Sequence, residues 1–351
     1  MKRRSFLALP LASGPLLASF RTARPGYRYQ FPRDHFNHPD FETEWWYYTG
    51  NVDSKEDRRF GFELTFFRRA ADRNQTKPSL WQVDDVWLAH LALSDIGGKR
   101  YFHSERLNRS GPGLAGASAE QGLVWNGNWE VRWDAGIQHL QAVAEEFTLN
   151  LTMTAVKPPV IHGQNGVSQK AAGAGRASHY ISLPRLTVDG TLALEGESHS
   201  LRGTAWMDHE FFTHQLEGNQ IGWDWFSIQL NDNTELMLFR LRRKDGSVDP
   251  YSAGTFIDAQ GKARHLTAGD FTLTPGAKWQ TYPIAWTIEV QPLNLILQAT
   301  TPLESQELVG KSKLSPSYWE GAMDFKGTRD GAPAIGRGYL EMTGYRSAVS
   351  L

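Results

Sequence analysis

The stretch Phe147-Thr148-Leu149-Asn150-Leu151-Thr152-Met153-Thr154-Ala155 decides the fold class. Every second residue is apolar and each intervening one is polar, and a β-strand sends neighbouring side chains to opposite faces. The segment therefore predicts a strand with one dry and one wet face. Outward from it the same period recurs. Phe62, Leu64 and Phe66 alternate with Glu63 and Thr65. Phe226 to Leu230 and Glu235 to Leu241 flank an Asn231-Asp232-Asn233 turn, which predicts a hairpin. Further strands are expected over residues 284–290, 293–299 and 339–345, and no segment carries a long amphipathic helical pattern.

Many strands separated by Gly, Asp and Asn turns argue for an all-β chain of antiparallel barrels. A barrel removes exposed sheet edges, and its mouth can hold one small ligand. The chain has 351 residues, 40% of them hydrophobic, enough for two domains of roughly 100–200 residues each. The division is expected near residues 200–215, giving 25–210 and 211–351. The Gly-rich segment from Gly163 to Gly175, carrying Lys170, reads as a long loop; it lacks the Gly-Lys-Ser/Thr of a phosphate loop.

The chain opens Met1-Lys2-Arg3-Arg4-Ser5-Phe6-Leu7 and stays apolar to Phe20, interrupted by Pro10 and Pro15. Paired arginines before a short apolar run predict a twin-arginine export signal over residues 1–24 and a periplasmic or secreted location. A run of about 15 residues is too short for the roughly 20 that span a bilayer, so no transmembrane span is expected. Net charge is −1, with 37 basic against 38 acidic side chains, which offers no field for nucleic acid. The absence of cysteine excludes disulfides, thiolate metal sites and cysteine nucleophiles.

Four clusters place carboxylates beside aromatic rings: residues 42–50, which include Glu44, Trp45, Trp46 and Tyr47; residues 206–212, which include Trp206, Asp208, His209 and Glu210; residues 222–226, which include Trp223, Asp224 and Trp225; and residues 318–321. On a strand, Trp206 and Asp208 share a face, as do Trp223 and Trp225. The functional reading is a carboxyl held in an apolar pocket, where desolvation raises its pKa and lets it act as a general acid. The alternative is structural, with each carboxylate satisfying an indole N–H or an arginine. Other chemistries fail on spacing. Gly166-Val167-Ser168-Gln169-Lys170 lacks the second glycine of a serine-hydrolase elbow. His209 and His214 are one residue too far apart for a His-Glu-x-x-His zinc helix. His35, His38, His90 and His103 reach a metal only by converging in the fold, so no metal and no cofactor are expected.

Together Glu44 to Gly50, Lys157 to Gly163, Ala205 to Phe211, Gly222 to Phe226, Tyr318 to Ala322 and Gly338 to Tyr345 resemble the AttH-type secreted proteins, a family that includes carotenoid 1,2-hydratases. The resemblance covers nearly everything after residue 30. It implies two tandem lipocalin-like barrels and an apolar small-molecule ligand or substrate. Carried over residue by residue, it implies Asp208 as the acid that protonates a double bond, with Trp206 and Tyr180 as cation-stabilising rings. The site so expected has Asp208, Trp206, His209, Glu210 and Asp224 as catalytic residues. Its substrate-binding residues are Glu44, Trp45, Trp46, Tyr47, His90, Tyr180, Trp223 and Trp225. Three activities stay open: acid-catalysed hydration, isomerisation or cyclisation of an alkene; carriage of a lipid or metabolite without reaction; and hydrolysis using a second carboxylate, Glu210 or Asp224. The first requires Asp208 to be buried against a cavity without a cationic partner, and the place of Asp208 close to the expected division leaves the site open to either barrel or to the seam between them.

Overall fold

The computed structural model describes residues 20–71, 83–311 and 315–349, so the expected export signal lies almost entirely outside the described residues. Two antiparallel sheets carry the architecture. In the first, the strands run in the spatial order Arg100–Arg109, Asp85–Asp95, Arg59–Ala70, Thr43–Ser54, Glu197–Phe212, Ala177–Leu194, Phe147–Ala155, Ile137–Val143, Trp129–Asp134, Leu123–Asn126 and Ala115–Ser118. In the second the order is Ala263–Thr267, Ala253–Ile257, Glu235–Arg243, Gln220–Leu230, Ala332–Met342, Tyr318–Arg329, Leu295–Thr300, Ala285–Val290 and Phe271–Pro275. The first sheet ends at Phe212 and the second begins at Gln220. The only helical turns among the described residues are the 3-10 segments Arg33–His35 and Gln291–Leu293. None is long and apolar enough to cross a membrane.

Each sheet curls into a nearly closed barrel whose ends are tied by side chains. Asn108 Nδ2 donates to Asn126 Oδ1 at 2.6 Å and Arg106 Nη2 to the Val143 carbonyl at 3.2 Å. In the second barrel Arg240 Nη1 reaches the Leu273 carbonyl at 3.1 Å. The interiors are filled, the first by Trp46, Phe62, Phe66, Leu151 and Met207, the second by Phe226, Leu238, Trp286, Leu297 and Phe325. A ligand at a barrel mouth, expected from the strand pattern, is therefore not what the fold provides. The large cavity lies outside both barrels, between them.

That seam also corrects the wet face of one strand. Along Phe147–Ala155 the polar residues are more exposed than the apolar ones, as their alternation predicts. Along Arg59–Ala70, Glu63 and Thr65 are as buried as Phe62 and Leu64. The second barrel covers that side, and a third apolar cluster joins Tyr47, Tyr180 and Trp206 to Trp225, Phe239 and Tyr339. Ion pairs stitch the same junction: Arg59–Asp324 at 2.7 Å, Arg337–Asp53 at 2.7 Å, and Glu235 held by both Lys157 and Arg185 at 2.6 Å. Gly61 allows the barrels to touch, because a Cβ there would sit 2.4 Å from the Tyr339 hydroxyl.

Candidate active site

Pairing register assembles the site. Residues opposite one another on antiparallel strands share a face. His90, Thr65, Tyr47, Asp208 and Ser182 thus form one row across five strands, and Leu88, Phe67, Trp45, Glu210 and Tyr180 form the next. Both rows lie on the outer face of the first barrel. Opposite them, the second barrel presents Trp223 and Trp225 from one strand and Glu341 from the next, with Glu341 paired in register to Trp225. The space between is a cavity of about 760 Å³, lined by these aromatic rings and by Phe239, with Asp208, Glu210, Lys170 and Glu341 among its ionisable groups. That volume suits a small organic molecule.

Asp208 is 3% exposed and has no lysine or arginine ion-pair partner among the described residues. Its Oδ1 accepts from Trp206 Nε1 at 2.6 Å and from the Ser182 hydroxyl, and its Oδ2 accepts from the Tyr180 hydroxyl. Burial lifts its carboxyl to about 7, against the pull of these three donors. Behind Ser182 stands His162, 2.6 Å from the hydroxyl through Nε2 and 2.8 Å from Thr255 Oγ1 through Nδ1. Burial drives the His162 pKa down to about 3, so the ring is neutral and links two hydroxyls. Glu210, two residues along the same face, is compensated by Lys170 at 3.3 Å, Gln215 Nε2 at 2.9 Å and the Ser178 hydroxyl.

Of the side chains expected at the site, Trp45, Tyr47, Tyr180, Asp208, Glu210, Trp223 and Trp225 converge on the cavity, and Trp206 supports Asp208 from behind. Five others do not reach it. His209, Glu44 and Trp46 alternate with the cavity-facing residues and point to the opposite side of their strands, where Trp46 stacks on His209 and Trp87. Asp224 lies between Trp223 and Trp225 and turns into the second barrel, held by Arg240 at 2.7 Å and by the Tyr345 hydroxyl at 2.8 Å. It is therefore no second carboxylate for Asp208. His90 stands behind the wall, 2.6 Å from the Tyr318 hydroxyl and 3.0 Å from Ser315 Oγ.

Among the described residues, His38, Glu44 and His209 bring three metal-ligating atoms within 4.8 Å of one another. Those atoms already satisfy each other. Glu44 Oε1 accepts from His38 Nδ1 at 2.7 Å and from His209 Nε2 at 2.8 Å, and Arg68 Nε lies 3.1 Å from the other oxygen. Burial opposes ionisation of Glu44, yet His38, His209 and Arg68 together hold its pKa well below the carboxylate range. The cluster is a buried ion-pair network in which the Arg68 guanidinium already supplies a cation to Glu44.

Sequence reasoning missed Ser182, His162, Lys170 and Glu341. Ser182 was accessible by strand period from Tyr180, and Glu341 by period from Tyr339. Lys170 reaches the cavity from an irregular loop, for which no periodic signal exists.

The AttH-like family model matches residues 22–345. A crystal structure of an AttH-type protein from Nitrosomonas europaea is 35% identical and superposes with a TM-score of 0.83, covering 93% of this chain and 100% of that one. Kievitone hydratase from Nectria haematococca shares the fold at 15% identity, with a TM-score of 0.71 over 94% of this chain and 97% of its own. Dehydratase asqC from Emericella nidulans is 23% identical over 218 residues, 58% of this chain and 60% of that protein's length. The match across nearly the whole described chain shows that it belongs to the AttH-like family.

Proposed function

We propose that this protein is a hydro-lyase that adds water to, or removes it from, a carbon–carbon double bond in an apolar small molecule, with Asp208 exchanging the proton at carbon. The observation that carries this reading is a buried, cavity-lining carboxyl whose partners are hydroxyls and an indole rather than a cation. In the hydration direction the Asp208 proton bonds to one alkene carbon and the π electrons leave a cation on the other. Water captures that cation and releases a proton. Tyr47, Trp225 and Tyr180 line the cavity together with Asp208, and a ring face turned to the developing charge would contribute about 2 kcal/mol or more. Tyr180 and Ser182 are rotatable hydroxyls, and Ser182 continues to His162, which gives the carboxyl a route for proton exchange.

The similarity to a hydratase fold and to a dehydratase sequence supports this class of reaction over hydrolysis. A carrier would leave the cavity carboxylates paired, as Glu210 is and Asp208 is not. The twin-arginine opening adds an exported location to the proposal, checked by N-terminal sequencing of the mature protein from periplasmic extract. The activity is tested by incubating purified protein and its Asp208→Asn variant with farnesol and squalene in oxygen-18 water. Labelled tertiary alcohol from the wild type alone is expected; equal product from both, or none from either, refutes the assignment.

A further inference from the structure

Moving water across a double bond requires one group for the proton at carbon and another for the proton at oxygen. Building on the hydro-lyase reading, we propose that Glu341 on the opposite wall is the second of these groups, so that two carboxyls, one from each barrel, act as a single proton-exchanging pair.

The geometry of a two-indole ledge carries the argument. Trp225 Nε1 donates at 2.9 Å to the Tyr180 hydroxyl, which in turn donates to Asp208. Trp223 Nε1, two residues away on the same strand face, donates at 2.9 Å to Glu341 Oε2. Residues i and i+2 of a strand share a face and stand about 7 Å apart, so the ledge binds one carboxyl directly and the other through Tyr180, and both line the same cavity. Glu341 is half-buried only because its side chain opens onto the cavity. The titratable groups around it are acids: Glu320 directly opposite on the next strand, Glu63 from the first barrel, and Asp208 and Glu210 across the cavity. Lys170, in the same cavity wall, is committed to Glu210.

Donor number divides the work between the pair. Three donors aim at Asp208 and one at Glu341. Negative charge therefore settles on Asp208 and the proton on Glu341. Burial lifts Glu341 to about 8, against about 7 for Asp208, in the same order. From this resting form Asp208 takes a proton from carbon while Glu341 gives its proton to the departing hydroxyl, which leaves as water as the double bond forms. Hydration runs the same steps backwards from the form with the proton on Asp208 and the charge on Glu341.

Two measurements decide the proposal. Carboxyl carbon-13 NMR of the intact protein, assigned with Glu341→Gln, should show Glu341 protonated at neutral pH, with its midpoint about one unit lower in Asp208→Asn. Trp223→Phe, which removes the donor and keeps the carboxyl, should move the midpoint up. A Glu341 signal in the ordinary carboxylate range, or one indifferent to Asp208→Asn, overturns the pairing. With farnesol and squalene in deuterated, oxygen-18 water, Glu341→Gln should still exchange deuterium into the alkene while oxygen-18 incorporation drops about a hundredfold. Incorporation at the wild-type rate removes Glu341 from the reaction and leaves Asp208 untouched. A wild type that neither exchanges nor incorporates overturns the hydro-lyase reading itself.

Discussion

At the scale of single residues, the chemistry rests on keeping a carboxyl uncharged where water is scarce. Burial raises Asp208 to about 7 and Glu341 to about 8, and hydration needs one proton on the pair, so its rate should peak between about 7 and 8 and fall about tenfold per unit on either side. Stability carries the opposite signature from an ion-paired acid. Between the unfolded value near 4 and the folded value near 7 the native state holds the extra proton, so stability is full below that window and declines as pH rises through it. Asp208→Asn removes this decline. Its melting temperature should exceed that of the wild type at about pH 8 and converge on it at about pH 5. Tyr180→Phe deletes a donor to the carboxylate and the acceptor of the Trp225 indole N–H; it should cost about 1–3 kcal/mol of stability while turnover falls about a hundredfold.

The strands decide which of these residues can meet. Period-two alternation put Trp206 with Asp208 and Trp223 with Trp225 correctly, because side-chain direction on a strand is local and readable. The same rule should have removed His209 and Asp224, which sit at odd positions between cavity-facing neighbours. Both were retained because their motifs were chemically suggestive, and alternation outweighs motif chemistry. What local pattern does not contain is the partner surface. Glu63 and Thr65 look like a solvated face, and only the approach of the other barrel buries them. That approach leaves no room for a side chain at Gly61. Gly61→Ala would drive a methyl into the Tyr339 hydroxyl and should cost about 1–3 kcal/mol in chemical denaturation.

For the whole molecule, two all-β units were legible from strand number and chain length, since each needs its own alternating interior. The location of the site was legible only in part: the place of Asp208 close to the division of the units pointed to the seam as one of the options, but the residues that face it there are distant in sequence and share no period with it. Lys157 and Arg185 from the first unit both close on Glu235 of the second. Glu235→Ala would strand two largely buried cations and should destabilise the protein by about 3–5 kcal/mol. Calorimetry of the wild type should show a single transition, since the apolar rings and ion pairs of the junction bind the fate of one barrel to the other. A further consequence concerns how such a protein can change over generations. Asp208 belongs to the first barrel, while Trp223 and Trp225, which face it across the cavity, belong to the second. Substitutions around those indoles can alter the cargo while both carboxyls stay in place, so one proton-exchanging pair can serve a lineage of different guests.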